Sequence, residues 1–425
     1  MAAQPEQASI LSFEQARALI EERASGVRPR GKELVGILDA LERVLAEPIH
    51  ADRDFPPFAR STRDGYALRA TDLDRVPADL HIIAEIKAGG APAALSVESG
   101  QAVAIMTGAP VPDGADAVVM IEHTSRSGDR VQVSRRVAAE ENVVAVGAEA
   151  KRGDKLLAPG VRIGYAEIAV AASVGRARLL VHAKPRVAVL STGDEVVDID
   201  VQPGPYQIRN SNGLSLAAQV RAAGGEATLL PIAPDETTRL RELLIEGLDA
   251  DLLLITGGVS MGKYDLVEQT LAGFKAQFFF TGAQIQPGKP VVFGSVPCGT
   301  GSAETVVPES HAEHKYFFGL PGNPISTMVT FELFAKPMLE ALAGIASRNL
   351  VFTHAKLKSE IRTKTGLKRF LPALLSGEFE RSEVELVRWQ GSGDIAAAAR
   401  ANCYAVIAPD RGRIEAGEWV PVLLR

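Results

Sequence analysis

The sequence predicts a multidomain α/β protein built around a mainly parallel sheet. Its 425 residues are too many for one ordinary domain, and length alone predicts about two to four domains. Residues 184–342 alternate short apolar, β-branched runs with helical stretches of about 10 to 15 residues, a pattern typical of βαβ units. Short strand-like runs with turn signals flank this segment. We therefore expect a central parallel-sheet domain, a helical and β-rich N-terminal part and a small C-terminal β-barrel-like domain.

Composition and charge exclude several classes of function. Hydrophobic residues make up 46% of the chain, enough for sizeable cores. The formal net charge of -6 argues against nucleic-acid binding, which needs a surplus of Lys and Arg. The two cysteines, Cys298 and Cys403, fit neither a zinc site nor a disulfide framework. No apolar run approaches the roughly 18 residues of a membrane span, so we expect a cytoplasmic protein that does not associate with membranes.

The N-terminal elements follow from capping patterns and periodicity. Ser12 and Gln15 form a capping-box pattern that predicts a helix, and apolar residues at helical spacing predict a second helix over residues 33–46. Residues 52–140 change to short β-type runs between Gly/Pro/Asp clusters, and residues 160–175 return to helical periodicity. The β-rich unit is therefore predicted to be inserted into a helical one. The predicted domains are residues 9–51 with 141–183, residues 52–140, residues 184–342 and residues 347–425, the last made of strands without helices.

Three unusual loops of the central domain each follow a predicted strand directly. They are "STGDE" at 191–195, "TGGVSMGKYD" at 256–265 and "GLPGNP" at 319–324. In open parallel sheets, ligands bind at the carboxyl ends of the strands, where loops and helix N-termini converge. We therefore expect these loops to share one edge of the sheet, although about 60 residues separate each from the next.

The composition of these loops favours an anionic ligand. Glycines allow positive φ and close approach of backbone N–H groups, while prolines stiffen a loop before the ligand arrives. The helix that begins near Ile325 would point its N-terminus at the same space. "QPGKP" at 286–290 adds Lys289 after another strand, but it is no P-loop, because Pro290 stands where Ser or Thr is required.

Carboxylates follow the same strands. Asp194 and Glu195 come after the first strand, Asp235 after the second and Asp265 after the third. Carboxylates would repel an anionic ligand unless a divalent cation bridges them to its phosphates. Because the candidate ligands are oxygens, this cation is expected to be magnesium rather than zinc. Alternatively, Asp235 is a helix N-cap and Asp194 a turn residue.

Six motifs together resemble one family. They are "STRDGYA" at 61–67, "IMTGAPVPDGADAVV" at 105–119, "STGDE" at 191–195, "TGGVSMGKYD" at 256–265, "PGKP" at 287–290 and "GLPGNPIS" at 319–326. In this order they resemble the MoeA family, the molybdopterin molybdenumtransferases, which are related to the E domain of gephyrin. The resemblance covers nearly the whole chain, and the central domain would be of the molybdopterin-binding type.

The resemblance implies a final step of molybdenum cofactor synthesis. Adenylylated molybdopterin binds, a magnesium-dependent hydrolysis releases AMP, and molybdenum from molybdate enters the pterin dithiolene. It also implies an elongated homodimer of four-domain subunits with each active site at the subunit interface, so that Asp64 and Thr107 reach the partner's site. Other enzymes of the pathway are candidate partners.

The residues implied by the resemblance fall into three groups. The catalytic candidates are Asp64, Thr107, Glu195, Asp235 and Asp265, of which Glu195, Asp235 and Asp265 are also the metal ligands. Lys289 and Ser326 are expected to contact molybdate and phosphate, because an oxyanion needs a cation and a hydroxyl together. The substrate-binding candidates are Thr192, Gly193, Asp194, Gly257, Gly258, Ser260, Gly262, Pro287, Gly288, Lys289, Pro321, Gly322, Asn323, Pro324 and Ser326.

The chain departs from the family pattern at three places. Glu149 stands where the family often has Asp, Gln286 stands where some members carry a second lysine, and residues 299–315 form a long polar insertion. Two other functions stay open. One is molybdopterin adenylylation or nucleotide pyrophosphate hydrolysis on a related α/β domain, and the other is a gephyrin-like scaffold.

Overall fold

The predicted fold class is confirmed. The computed structural model describes residues 10–90, 95–258, 266–297, 314–345 and 349–425. Within them lie a six-stranded sheet in the N-terminal part, a six-stranded α/β sheet in the centre and a closed barrel near the C-terminus. No helix among these residues is long and apolar enough to cross a membrane. The cytoplasmic location stays a prediction.

The N-terminal part starts with the predicted helix. Ser12 Oγ accepts a hydrogen bond from the Gln15 N–H, and Gln15 Oε1 accepts one from the Ser12 N–H, so the capping box is confirmed. The elements of this part are β1 (Ile10–Leu11), α1 (Phe13–Ser25), β2 (Lys32–Gly36), β3 (Ile49–His50), β4 (Arg60–Ser61), β5 (Gly65–Leu68), β6 (Ala78–Ile86), β7 (Gln101–Ile105), β8 (Ala117–Met120), β9 (Thr124–Ser127), β10 (Arg130–Val133), β11 (Val143–Val144), β12 (Lys155–Leu157), α2 (Tyr165–Ser173) and β13 (Arg178–His182).

The predicted helix over residues 33–46 is wrong. Residues Lys32–Gly36 form β2, which pairs antiparallel with all five residues of β13. Leu38 is 75% exposed, so the apolar spacing does not mark one buried helical face. Backbone pairing with a strand more than 130 positions away outweighs local helix propensity here. The helix expected within 160–175 is present as α2.

One sheet carries most of the β-rich unit. Its order is β8-β5-β7-β6-β10-β9, and β5 lies between two antiparallel neighbours. A Cβ at Gly65 would lie 1.8 Å from the Val119 carbonyl oxygen of β8, so the pairing needs glycine at that position. This close approach fixes the backbone at the start of β5, immediately after Asp64.

The central sheet has the order β17-β14-β18-β23-β22-β19. The first four strands are mutually parallel, but β22 and β19 pair antiparallel at one edge, a difference from uniform βαβ repetition. Its elements are β14 (Arg186–Ser191), β15 (Val196–Val197), β16 (Ile208–Arg209), α3 (Ser211–Ala222), β17 (Glu226–Leu229), α4 (Thr237–Leu248), β18 (Leu252–Thr256), α5 (Leu266–Gly273), β19 (Gln277–Phe280), β20 (Gly282–Ala283), β21 (Ile285–Gln286), β22 (Val292–Pro297), β23 (His314–Leu320), α6 (Pro324–Thr330), a π-helical turn (Phe331–Ala335) and α7 (Lys336–Leu342).

Apolar side chains cover both faces of this sheet. On one face, Val189, Leu254 and Phe318 pack with residues of α1, α3, α6 and α7. On the other face, Leu253 and Phe317 pack with residues of α4 and α5. Because both faces are buried, the sequences of these strands are continuous apolar runs. Polar functional groups can therefore lie only at the ends of the strands.

The C-terminal part is a barrel with one helix that the sequence analysis did not predict. Strands β26, β27, β24, β30 and β28 close on themselves through the β26–β28 pairing. The unpredicted helix, α8, is capped by Asp394, whose side chain accepts from the Ala397 N–H. The elements are β24 (Phe352–Leu357), β25 (Ile361–Arg362), β26 (Lys368–Ser376), β27 (Glu383–Leu386), α8 (Ile395–Arg400), β28 (Cys403–Ile407), β29 (Arg413–Ile414) and β30 (Trp419–Leu424).

Candidate active site

The ends of β14, β18 and β23 meet at one edge of the central sheet. These strands are parallel neighbours, so their carboxyl ends lie side by side. The Thr192 N–H donates to the Thr256 carbonyl at 3.0 Å, and the Gly257 N–H donates to the Leu320 carbonyl at 3.4 Å. The predicted convergence of the three loops is therefore observed as far as residue 258. We call this edge the rim; it comprises Thr192–Glu195, Asn212, Asp235, Gly257–Gly258 and Pro321–Asn323.

Two glycines allow the rim loops to touch. Gly257 has φ +86°, and a Cβ there would lie 2.5 Å from the Thr192 carbonyl oxygen. Gly258 has φ +61°, and its Cβ would lie 2.6 Å from Thr192 Oγ1. Any side chain at either position would push the loop after β18 away from the loop after β14.

The segment after β23 is held by the helix that follows it. Thr327 Oγ1 donates to the Pro321 carbonyl at 2.5 Å. Asn323 is the N-cap of α6 but makes no side-chain cap bond. The Ile325 N–H donates to the Ser392 carbonyl of the C-terminal part at 2.9 Å. The Ile325 amide is thus occupied, Pro324 has no N–H, and the Thr327 N–H donates to the Asn323 carbonyl at 3.0 Å, so the first turn offers an anion the Ser326 N–H.

The Pro287–Lys289 segment packs against the same helix. Gly288 has φ +105°, and a Cβ there would lie 2.4 Å from the Thr330 methyl group. Pro287 and Gly288 are buried, whereas Lys289 is exposed and its ammonium makes no hydrogen bond or ion pair among the described residues. Ser326 is buried one turn before Thr330. The structure therefore brings the expected cation and hydroxyl to neighbouring elements.

Three acids crowd one end of the rim. Asp194 Oδ1 accepts a hydrogen bond from the Asp235 N–H at 3.0 Å. Burial, and then the charges of Asp194 and Glu195, raise the pKa of Asp235 above its usual value. The N-cap of α4 is Glu236, which makes no side-chain cap bond, so the alternative role of Asp235 as an N-cap is wrong.

The predicted metal site is only partly described. Among the described residues, no group of three His, Cys, Asp or Glu side chains is arranged to hold a metal ion. The third predicted ligand, Asp265, lies outside these ranges, as do Ser260 and Gly262. Residues 299–313 of the insertion also lie outside them.

Asn212 at the start of α3 was missed in the sequence analysis. Its Nδ2 donates to Thr256 Oγ1 at 3.1 Å and to the Gly322 carbonyl at 2.7 Å, so it joins two rim loops. Within the part of the chain that the structure describes, its Oδ1 is buried without a hydrogen-bond partner, and so is Thr192 Oγ1. Buried polar atoms without partners are rare and costly, and these two lie together at the converging strand ends. The polar cluster "RNSNG" before a helix was the available signal.

Asp64 and Thr107 form a separate corner of the N-terminal sheet. Asp64 Oδ1 accepts from the Thr107 N–H at 2.7 Å and from the Thr107 hydroxyl at 2.8 Å. These two bonds, the backbone one first, lower the pKa of Asp64. Both side chains are exposed and make no hydrogen bond to the rim of the same chain within the described ranges. The structure pairs these residues as one unit but does not bring them to the rim.

Two of the departures from the family pattern, Glu149 and Gln286, lie among the described residues. Glu149 accepts a hydrogen bond from Arg60 at 2.8 Å and forms an ion pair with it. Gln286 is exposed at the end of β21. Glu149 is thus engaged in a surface ion pair of the N-terminal part.

Fold and rim together define a protein with a molybdopterin-binding type of α/β domain. Residues 188–341 match the family description "probable molybdopterin binding domain", residues 11–175 match the MoeA N-terminal region (domains I and II), and residues 354–424 match the MoeA C-terminal region (domain IV).

Relatives agree over the whole chain. The chain is 34% identical over 401 residues to a molybdopterin molybdenumtransferase of Nostoc sp., covering 92% of this chain and 88% of that protein. It is 33% identical to the protein of that name from Bacillus subtilis, covering 92% and 89%. The molybdopterin biosynthesis moeA protein of Pyrococcus horikoshii OT3 superposes with a TM-score of 0.77 at 28% identity, covering 98% and 100%. This chain belongs to the MoeA family, and the predicted enzyme class, a transferase of molybdenum cofactor biosynthesis, is confirmed.

Proposed function

We propose that this protein inserts molybdenum from molybdate into adenylylated molybdopterin and releases AMP. The observation that carries the proposal is the rim, where three glycine-rich strand ends converge around buried polar atoms without partners. Such a surface is incomplete without a ligand that supplies hydrogen-bond partners. The names of the relatives supply the chemistry of that ligand.

The rim residues suit a phosphorylated pterin. Thr192 Oγ1 and Asn212 Oδ1 can serve a ligand that carries both acceptors and donors. The Gly257 N–H already donates to the Leu320 carbonyl, but the Gly258 N–H can approach a phosphate oxygen because no Cβ intervenes. Lys289 and Ser326 offer an unpaired ammonium and a hydroxyl for the molybdate oxyanion.

The acids of the rim suit a magnesium ion with few protein ligands. Mg²⁺ keeps several waters and is usually held by one or two carboxylates plus substrate phosphates. Burial first, and then the charges of Asp194 and Glu195, raise the pKa of Asp235, and a bound cation would offset both effects. Glu195, Asp235 and Asp265 would hold the ion. When bound, it would supply charge neutralisation at the pyrophosphate.

AMP release needs hydrolysis of the pyrophosphate bond. A water attacks one phosphorus in line, the bond to the bridging oxygen breaks, and the phosphate oxygens carry the additional charge. Rim amides and Lys289 would hold those oxygens in fixed positions, which lowers the barrier without reorganisation. One oxo group of molybdate then leaves as water, taking the two protons of the dithiol, as molybdenum binds the two dithiolene sulfurs.

We further propose a homodimer in which the Asp64–Thr107 corner completes the partner's rim. Apolar side chains stand exposed on the segment after Glu195: Tyr206 is 92% exposed, Ile208 59% and Ile199 56%. Grouped exposed apolar side chains of this kind are typical of an interface between proteins. A second copy would cover this patch and bring an ionised Asp64 to the acids and glycines of the rim.

The direct test supplies adenylylated molybdopterin, Mg²⁺ and molybdate, and measures AMP release. We expect AMP only when molybdate is present. Consumption of a nucleoside triphosphate without AMP release from the adenylylated substrate would instead support the adenylyltransferase. Binding without any turnover would support the scaffold.

A matched variant sharpens this test. Asp265→Asn should keep pterin binding and abolish AMP release, because the amide preserves shape but removes the charge that binds Mg²⁺. Unchanged turnover would remove Asp265 from the metal site.

A further inference from the structure

A cavity lies at the edge of the central sheet opposite the rim. It has a volume of about 480 Å³ and is lined by residues at the amino ends of three neighbouring strands, among them Pro185, Asp251 and Lys315. The rim lies at the other ends of the same strands. The five residues of β18 separate the two edges by roughly 16 Å. This cavity is therefore distinct from the candidate active site.

The one carboxylate of this cavity is already neutralised. The side chain of Asp251 is 9% exposed, and its Oδ2 accepts from the backbone N–H of Arg186 at 2.8 Å. Its Oδ1 accepts from Arg30 at 3.4 Å and lies 3.9 Å from the Arg186 guanidinium. Asp251 thus has cationic partners of its own, and with Arg28, Arg30 and Lys315 the described lining carries more positive than negative charge.

Positive charge lines the remaining wall. Arg28 makes no hydrogen bond or ion pair with its side chain among the described residues. Lys315 donates through Nζ to the Ala250 carbonyl at 3.0 Å, so its charge is not cancelled by a carboxylate there. Val27, Leu342 and the ring of Tyr316 add apolar surface.

We propose that this cavity binds a small organic anion, a phosphate or carboxylate carried on a planar apolar group. Its volume lies within the roughly 300 to 1,000 Å³ typical of small-molecule sites. Arg28 and Lys315 would pair with the anion, and a planar group would lie against Tyr316. This inference does not rest on the proposed transferase function, since no rim residue lines the cavity.

Calorimetric titration of the full chain with phenyl phosphate, benzoate and benzyl alcohol tests it. We expect at least one anion to bind and benzyl alcohol, which has the ring without the charge, to bind at least about tenfold more weakly. The anion that binds better identifies the head group. Absence of binding by both anions, or equal binding of benzyl alcohol, would overturn the proposal.

Two arginine variants locate the binding. Arg28→Gln should weaken the binding of the anion by about tenfold, because a charged hydrogen bond to the anion is lost while the contacts of Asp251 stay intact. Arg176→Gln is the matched control, an exposed arginine that does not line the cavity. Equal affinity of the Arg28→Gln and wild-type proteins, or loss of binding in the rim variant Gly257→Ala, would place the anion elsewhere.

Discussion

Polar groups are hydrogen-bonded differently in two regions of the molecule, the rim of the central sheet and the Asp64–Thr107 corner of the N-terminal sheet. On the rim, Thr192 Oγ1 and Asn212 Oδ1 are buried without partners, and Asp235 is crowded by other acids. In the corner, two hydrogen bonds from Thr107 satisfy Asp64 and lower its pKa.

This difference separates two tasks. Unsatisfied groups and a raised pKa describe a surface that gains partners when a ligand or cation arrives. A satisfied carboxylate with a lowered pKa describes a fixed, ionised group that needs no ligand to order it. The proposed active site would combine one surface of each kind, contributed by two subunits.

The largest expected effect is a loss of stability when Gly65, next to Asp64 in the corner, is replaced. Gly65→Ala would place a Cβ 1.8 Å from the Val119 carbonyl oxygen, so we expect the N-terminal sheet to lose about 3 kcal/mol or more. Urea unfolding of both proteins measures this loss. Gly393→Ala is the control, since a Cβ there meets nothing within 4 Å. Similar stability of the two variants would show that the β5–β8 approach is not tight.

The corresponding change on the rim should damage activity more than folding. Gly257→Ala forces a side chain to φ +86° and against Thr192, and a misplaced loop can cost roughly 100-fold in rate. AMP release measures the rate. Gly322→Ala is the comparison, because its Cβ would lie 3.6 Å from the Gly257 Cα, an ordinary contact. Wild-type turnover in Gly257→Ala would contradict the predicted role of this loop.

Asn212 distinguishes ligand contact from loop support. Asn212→Asp keeps an acceptor but loses the amide donor that joins Thr256 to Gly322, whereas Asn212→Leu loses both. We expect kcat to fall in both variants, because both lose the donor that joins the loops, and KM to rise about tenfold in the leucine variant, which also loses the acceptor. Steady-state AMP release separates these parameters. Equal, unchanged KM values in both variants would remove Asn212 from the site.

The crowded acids predict a pH-dependent magnesium affinity. Protonated Asp235 cannot bind a cation, so affinity should fall as the pH drops through its raised pKa. Asp194→Asn removes one repelling charge, which lowers that pKa and moves the fall to lower pH. Calorimetry with Mg²⁺ over a pH series measures the shift. If the magnesium affinity falls at the same pH in both proteins, the charge of Asp194 does not raise the pKa of Asp235.

The smallest effect is expected at Thr107. Thr107→Val removes the hydroxyl bond but keeps the backbone N–H bond, which contributes more to the lowered pKa of Asp64, so that pKa should rise only in part. The stability that ionised Asp64 contributes is present above its unfolded-state pKa and disappears as the pH falls through its folded-state pKa. In the valine variant, with its higher folded-state pKa, that loss is smaller and is complete at a higher pH. NMR titration of the carboxyl group measures the shift, and Thr107→Ser should restore the wild-type value.

The sequence predicted the rim better than the corner for a physical reason. Parallel strands place their ends on one edge, so loops far apart in sequence could be assigned to one site. The pairing of Asp64 with Thr107 depends on the register between β5 and β7, which residue spacing does not reveal. Asn212 was missed because polar residues before a helix usually serve as caps, and only the structure shows its bonds to two loops.

The failed helix over residues 33–46 has a similar cause. Its apolar residues do recur at helical spacing, but β2 forms backbone hydrogen bonds with β13 instead. Long-range pairing decided that segment, and no local pattern reports it.

The shared active site is the central claim, and subunit complementation tests it most directly. Asp64→Asn alters only the corner and Asp235→Asn only the rim. A purified heterodimer of these two inactive variants should regain about half of the wild-type rate of AMP release, because one of its two sites combines an intact rim with an intact corner. A heterodimer as inactive as its parents would show that each subunit must supply both surfaces itself.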